Sequence, residues 1–312
     1  MPRIAFVTAI ASAALDDDMP PLLAACARAG LRAEVRAWDD FTVSWARYDA
    51  VVLRSPWDYH LHRDAFLRWC ERVARAGRLF NPVELVRWNT DKHYLADLEA
   101  AGLPVVPTRF VEPEIEGDPD AEAEPLAVLE NFLAAHHGTG DVVVKPAVSA
   151  GSRDTARYRR DQTLAAANHL GLLLAAGRAA MLQPYLESVD AHGETALLYF
   201  DGVFSHAIRK AALLRPDAPG LDHTALPEAI APRTPDADEV RIGEAVLAAV
   251  RARGGETPLY ARIDLIRDHE GRDPHGAPRL LELELTEPSL FFATDLLAAD
   301  RFVAALIARL QA

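Results

Sequence analysis

The sequence predicts an α/β protein, a parallel α/β domain followed by two α+β lobes. Its first ninety residues alternate strand-length apolar runs with helical ones, the order of a parallel sheet covered on both faces. From Glu194 onward it pairs apolar runs across short turns, an antiparallel pattern. At 312 residues the chain is too long for one typical core and ample for two or three lobes.

The first unit is expected over residues 1–88. RIAFVTAI is a short apolar strand, and PPLLAACARAG is a helix with Pro at its start and Gly30 at its end. RAEVRAW and YDAVVLRS read as further strands, and HRDAFLRWCERVARAG as a helix closed by Gly77. Ligands of such sheets bind beyond the carboxyl ends of the strands. That makes Thr8–Asp18 and Arg54–Tyr59 candidate site segments. The second unit, 89–185, begins with the helix TDKHYLADLEAAG and the strand VVPTRFV. EPEIEGDPDAEAEP holds seven acids, three prolines and one glycine, and reads as a solvated loop. A helix, the strand VVVKPA, a loop, the helix QTLAAANHLGLLLAAG and the strand AMLQPYLE follow. The third unit, 186–312, opens with two strands around an Asp201-Gly202 turn, then a long loop, RPDAPGLDHTALPEAIAPRTP. A capped helix, DADEVRIGEAVLAAVRARG, precedes the hairpin of LYARIDLIRDHEGRD and PRLLELELTEP, and a last helix closes the chain.

Composition excludes some classes of function. Hydrophobic residues make up 50% of the chain, as in a globular protein, and the net charge is -13. A general nucleic-acid binder needs a basic face, so none is expected here, although a local positive pocket for phosphate stays open. No run approaches the ~18–20 apolar residues of a membrane span. The N-terminal apolar run reads as a strand and loop rather than a signal sequence. Cys26 and Cys70 lie in helical patterns without metal-type spacing; buried thiols and a cytoplasmic location are expected. A homodimer is left open.

Of the 33 Lys and Arg residues only Lys92, Lys145 and Lys210 are lysine. A lysine kept among so many arginines marks a place for a compact point charge rather than a planar fork. In PRLLELELTEP the residues alternate: Leu281, Leu283 and Leu285 face one way, Glu282, Glu284 and Thr286 the other. Two carboxylates on one strand face repel, and a divalent cation offsets that. Arg262 and Asp264 share a face of the partner strand. Three carboxylates on neighbouring strands suit Mg²⁺, and a solvated hairpin face is the alternative.

In this order the motifs resemble the ATP-grasp superfamily over roughly residues 88 to 295, and most of all its glutathione synthetase branch. LDDDMP, RSPWDYH and ELTEPSLFF are also similar to the O-ureido-serine cyclo-ligases that make cycloserine. The resemblance implies an ATP-grasp fold with two lobes that clamp ATP and Mg²⁺. Lys92 and Lys145 would touch the α- and β-phosphates, and Ser149, Gly151 and Ser152 would form a lid over the β- and γ-phosphates. That loop is poorer in glycine than the family's. Gln183, Tyr185 and Leu186 would read adenine, Glu187 or Asp190 would bind ribose, and Glu194 would lie near the phosphates. Asp264, Glu282 and Glu284 would hold the metal; Arg262 and Arg209 would stabilise the transferring phosphoryl group, with Lys210 as a second local cation. In the first domain Arg54 would clamp a carboxylate or phosphoryl group and Asp58 an ammonium, with Trp57 and Tyr59 as walls. Asp17 and Ser289 complete the substrate candidates, and Asp16–Asp18 read alternatively as a solvated helix start.

The implied activity is that of an ATP-dependent carbon–nitrogen ligase acting on a small amino acid. Its carboxylate becomes an acyl phosphate, and an internal nitrogen then attacks. An intermolecular carboxylate–amine ligase is the alternative, and a non-catalytic nucleotide-binding module the third reading.

Overall fold

The computed structural model describes residues 1–114, 124–136, 140–215, 229–268 and 276–312. Most of the acidic loop after Val111 and of the loop after Arg215 lies outside them. In chain order the first unit holds β1 (Arg3–Thr8), α1 (Met19–Arg28), β2 (Arg32–Ala37), β3 (Ala50–Ser55), α2 (Arg63–Ala76) and β4 (Leu79–Phe80). The strands form a parallel sheet in the order β2-β1-β3-β4. Its middle strands read as continuous apolar runs because helices cover both faces. Helices α3 (Val83–Asn89) and α4 (Tyr94–Ala100) follow.

The central sheet is antiparallel, built from β5 (Arg109–Val111), β6 (Val142–Pro146), β7 (Ala156–Tyr158) and β8 (Ala180–Pro184) in the order β5-β8-β6-β7. Helices α5 (Pro125–Ala135) and α6 (Thr163–Ala175) pack on it around Leu129, Leu133, Leu170 and Leu182. After α7 (Ser188–His192) the last sheet collects β9 (Glu194–Phe200), β10 (Val203–Lys210), β11 (Ile230–Arg233), β12 (Tyr260–Asp268) and β13 (Ala277–Glu284), with α8 (Ala237–Gly254) against it. Its order is β11-β10-β9-β12-β13, all antiparallel. The β9–β10 turn places Asp201 and Gly202 both at positive φ, as a two-residue type I′ turn requires.

Four sequence expectations shift. VVPTRFV supplies a strand only at Arg109–Val111. Pro107 has no amide to donate, and the preceding residues instead add to the free edge of β13: Val106 donates to Leu280 and Leu280 to Pro104. Helices α3 and α4 also pack on the C-terminal sheet, through Leu85, Tyr94, Leu95 and Leu98, so residues 83–106 belong spatially to that sheet. The closing helix α9 (Ala298–Gln311) returns to the first domain, where Phe302 and Leu306 join Ile4, Phe6 and Leu22 in one core. The termini of the chain therefore share a core that no local pattern announces.

The fourth difference is a β-bulge. Asp264 pairs with Glu282, but the next residue, Leu265, pairs with Leu280, so Leu281 is extra. A bulge adds one residue to one strand and flips the alternation. Leu280, Leu283 and Leu285 enter the core, while Leu281 stands beside Glu282 on the cavity wall.

Candidate active site

A cavity of about 760 Å³ opens where the three sheets meet. Each sheet reaches it with a particular segment. The first domain contributes the loop after β3, with Trp57, Asp58, Tyr59 and His60. The central sheet contributes Lys145 and Gln183 from β6 and β8, and the loop Ser149–Arg153. The last sheet contributes Glu194, Lys210, Arg262, Glu282 and Glu284. Lys92, just before α4, completes the polar wall.

All three lysines of the chain line this cavity. Lys92 donates to the Ser149 carbonyl at 3.1 Å and pairs with Glu282 at 3.2 Å. Lys210 pairs with Asp264 at 2.7 Å and Glu194 at 3.0 Å. Burial and the nearby Lys92 hold the Lys145 ammonium down at about 8, although Glu282 opposes the shift.

The acids form the opposing set. Ligand oxygens of Asp264, Glu282 and Glu284 lie within 4.8 Å of one another. Arg262, itself buried, makes this crowding tolerable. Its Nε donates to Asp264 Oδ1 at 2.9 Å, and its Nη2 donates to Asp264 Oδ2 at 3.0 Å and to Glu284 Oε1. Both oxygens of Asp264 are thus taken by cations, whereas the ion pairs of Glu282 and Glu284 each use one oxygen, Oε1. Burial opposes ionisation of Glu282, yet the cations around it hold its carboxyl down at about 2. Glu284 is pushed up to about 8, because burial and the charges of Glu282 and Asp264 outweigh its single Arg262 partner. Hard oxygen donors on adjacent strands, with two outer oxygens left open, fit a divalent cation such as Mg²⁺.

Behind the charges lies an apolar slot between the central and last sheets: Val106, Val143, Tyr185, Leu186, Val189 and Ile266 form one cluster against which Leu281 packs. Gln183 sits at its edge and donates to Thr108 at 2.8 Å. The loop over the lysines turns through left-handed residues at Gly151, Ser152 and Asp154.

Of the remaining expected site residues, Ser289 lines the cavity and its carbonyl accepts from Arg262. Asp264, buried behind Glu282 and Glu284, does not line it, nor do five others. Arg209 points away from Lys210, because successive strand residues face opposite sides, and binds the carbonyls of Ala191 and His192 at the end of α7. Of that pair Lys210, not Arg209, reaches the cavity. Glu187 is exposed, and Asp190 accepts from the Tyr185 hydroxyl at 2.6 Å outside the cavity. Asp17 is exposed, while its neighbour Asp18 is buried and accepts from the amides of Leu290, Phe291 and Phe292. A solvated helix start is therefore the wrong description of Asp18. Arg54 is 1% exposed, 3.6 Å from Asp18, and donates to the Pro288 carbonyl. It braces the segment after β13 and lines no part of the cavity.

Sequence reasoning missed Glu287, Asn89 and His60, which line the cavity. Glu287 shares the parity of the core leucines, but β13 ends at Glu284 and alternation ends with it. Burial and the charge of Glu282 push its carboxyl up to about 7.

Residues 4–81 match the family described as D-cycloserine synthetase DcsG, N-terminal domain. Over 310 residues, 99% of each chain, the protein is 46% identical to the cycloserine biosynthesis protein DcsG of Streptomyces lavendulae. The chain belongs to the DcsG family. A crystal structure of D-cycloserine synthetase DcsG matches with a TM-score of 0.86 at 44% identity, covering 99% of both chains. The D-alanine–D-alanine ligase of Bacillus anthracis complexed with ATP matches at 0.63 and 14% identity, over 100% of this chain and 98% of that one. The ATP-grasp ligase PsnB complexed with precursor peptide and AMPPNP matches at 0.62 and 19%, over 99% and 98%. At these lower identities the likeness is one of fold. The fold is ATP-grasp, and the protein is an ATP-dependent ligase. No described helix is long and apolar enough to cross a membrane.

Replacing Arg262 by Met is expected to destabilise the protein by about 3–5 kcal/mol, because it leaves buried carboxylates facing each other without their shared cation. Adding Glu284→Gln should recover part of that loss. Urea unfolding checks both; a single-variant loss below about 1 kcal/mol would show that the pairing does not hold the strands.

Proposed function

We propose that the protein closes a single small amino acid of the O-ureido-serine type into the cycloserine ring, using ATP to activate its carboxylate. The observation that carries this reading is the meeting of two chemistries in one cavity. Groups suited to phosphate and its metal, the three lysines with Glu282 and Glu284, line it together with the aromatic loop Trp57–Tyr59 of the DcsG-type first domain. The kinship to a D-cycloserine synthetase supports the same product.

A carboxylate resists attack because its leaving group would be oxide. Transfer of the γ-phosphoryl group gives an acyl phosphate. The O-bound nitrogen displaces phosphate and loses its proton as the ring closes. Water then removes the carbamoyl group still on that nitrogen, as carbon dioxide and ammonia, to leave the cycloserine ring. Mg²⁺, when bound at Glu282 and Glu284 with Asp264 behind them, would neutralise phosphate charge. The chain's own residues do the rest. The apolar slot of Val143, Leu186 and Ile266 takes the base. Lys92 and Lys145 hold the phosphates, and Lys92 ties the Ser149 loop over them. Lys210 and Arg262 face the transferring group. Trp57, Tyr59 and Ser289 enclose the amino acid and keep water from the acyl phosphate. No side chain acts as a covalent nucleophile, so rate comes from positioning and charge neutralisation.

The experiment is release of ADP and phosphate with O-ureido-serine and Mg²⁺, with and without an added amine, and mass analysis of the product. Turnover without a second amine, with one ring formed per ADP, is expected. Turnover that requires the added amine would overturn cyclisation in favour of intermolecular ligation.

A proton-linkage measurement tests the Lys145 assignment. Its ammonium sits at about 8 in the nucleotide-free protein, and a bound phosphate favours the charged form. ATP binding near pH 8 should therefore take up a proton, and affinity should fall as pH rises above 8. In Lys145→Arg the uptake should shrink to the part contributed by Glu284 and Glu287, because Arg stays charged, and turnover should drop because the fork does not fit between phosphates. Calorimetry in two buffers of different ionisation heat reads the uptake; equal uptake in wild type and variant would remove Lys145 from the phosphate site.

A further inference from the structure

Each acid that the last sheet and its tail place on the cavity wall has a cation, except one. Glu194 pairs with Lys210, Glu282 with Lys92 and Glu284 with Arg262. Glu287 lines the same cavity, and among the described residues no lysine or arginine forms an ion pair with it. Tyr59 lines the same cavity, and its hydroxyl lies 3.5 Å from the Ser149 carbonyl. The Glu287 backbone is fixed from the same loop, since the Trp57 indole donates to the Glu287 carbonyl at 3.0 Å. The carboxylate therefore stands at the seam between the aromatic loop of the first domain and the strand that carries the acid cluster.

A half-buried carboxylate without a counter-cation is costly, and a ligand cation placed beside it offsets that cost. Metal is the lesser candidate, because Glu287 is outside the group of acids whose oxygens lie within 4.8 Å of one another. Asp58, the acid that sequence reasoning placed at the substrate ammonium, already accepts from the Trp38 indole at 2.8 Å. We infer that the Glu287 carboxylate, on a backbone held by the Trp57 indole, is the anchor for the α-ammonium group of the amino-acid substrate. This rests on the cyclo-ligase reading above and adds a subsite to it: a zwitterion enters with its ammonium on Glu287 and its carboxylate toward Lys210 and Arg262. The distance from anchor to phosphoryl site then selects a short amino acid, and an acid without the amino group lacks half of the recognition.

The test pairs a change in the protein with a change in the ligand. KM for O-ureido-serine and for its desamino analogue is measured with wild type, Glu287→Gln, Glu287→Asp and Asp58→Asn, with KM for ATP recorded in each. For wild type the desamino analogue should bind more weakly by about 10- to 100-fold, the worth of one charged hydrogen bond. In Glu287→Gln that discrimination should collapse to within about threefold, with KM for ATP and the Mg²⁺ requirement nearly unchanged and Glu287→Asp intermediate. Persistence of the full discrimination in Glu287→Gln, or its loss in Asp58→Asn alone, would overturn the assignment. So would a Glu287→Gln variant whose main change is a raised Mg²⁺ requirement. If Glu287→Gln fails to fold, Glu287→Asp carries the same comparison. Failure of wild type to bind or turn over O-ureido-serine in the same assay marks the separate failure of the cyclo-ligase reading, and this anchor falls with it.

Discussion

Arg262 places one buried positive charge between carboxylates of two neighbouring strands, and the cavity depends on that placement. Without it Asp264 and Glu284 would repel across the β12–β13 ladder, where Arg262 stands directly opposite Glu284 and Asp264 opposite Glu282. The pairing has a direction. It saturates Asp264, which is 1% exposed, and leaves outer oxygens of Glu282 and Glu284 toward the cavity. Lys92 and Lys210 extend the same alternation of charge to both sides. The result is a preformed electrostatic surface in a low-dielectric site, where oriented charges act most strongly on a phosphoryl group.

The polypeptide around this network exists largely to hold it from behind. The Asn81 amide bonds the carbonyls of Tyr260 and Leu285 and accepts from Leu259, and the Asn89 amide bonds Leu283 and Leu285. Two asparagines at either end of α3 thereby grip the hairpin strands through their backbone. Asp18 and Arg54 of the first domain hold the segment that follows. Arg54 is expected at a ligand because it stands at the carboxyl end of a parallel strand, and the run Asp16–Asp18 reads either as part of the same cleft or as a solvated helix start. There Arg54 and Asp18 meet another part of the chain, so the rule located the right region and the wrong partner for both.

What the sequence disclosed was chemistry with a local signature. Three lysines among thirty-three basic residues all reach the cavity, and the strand pair carrying Arg262, Asp264, Glu282 and Glu284 has the spacing that brings them together. The alternation of strands and helices gave the parallel first sheet, and Asp201-Gly202 gave the hairpin. What it hid depended on a single residue of register or on distance along the chain. Arg209 and Lys210 differ by one position and face opposite sides. Leu281 changes side at a bulge that no residue type marks. Glu287 stands beyond the strand end, where period-two reasoning no longer applies. The packing of α9 on the first sheet, and of residues 83–106 on the last, arises from contacts between distant segments.

The most direct test of the central claim is anomalous diffraction from crystals grown with Mn²⁺, as a stand-in for Mg²⁺, and a non-hydrolysable ATP analogue. Metal peaks are expected at about 2.0–2.2 Å from carboxylate oxygens of Glu282 and Glu284, in reach of Asp264, with Lys92 and Lys145 on the phosphates. A metal bound elsewhere, with Glu282 and Glu284 still paired only to Lys92 and Arg262, would contradict that claim.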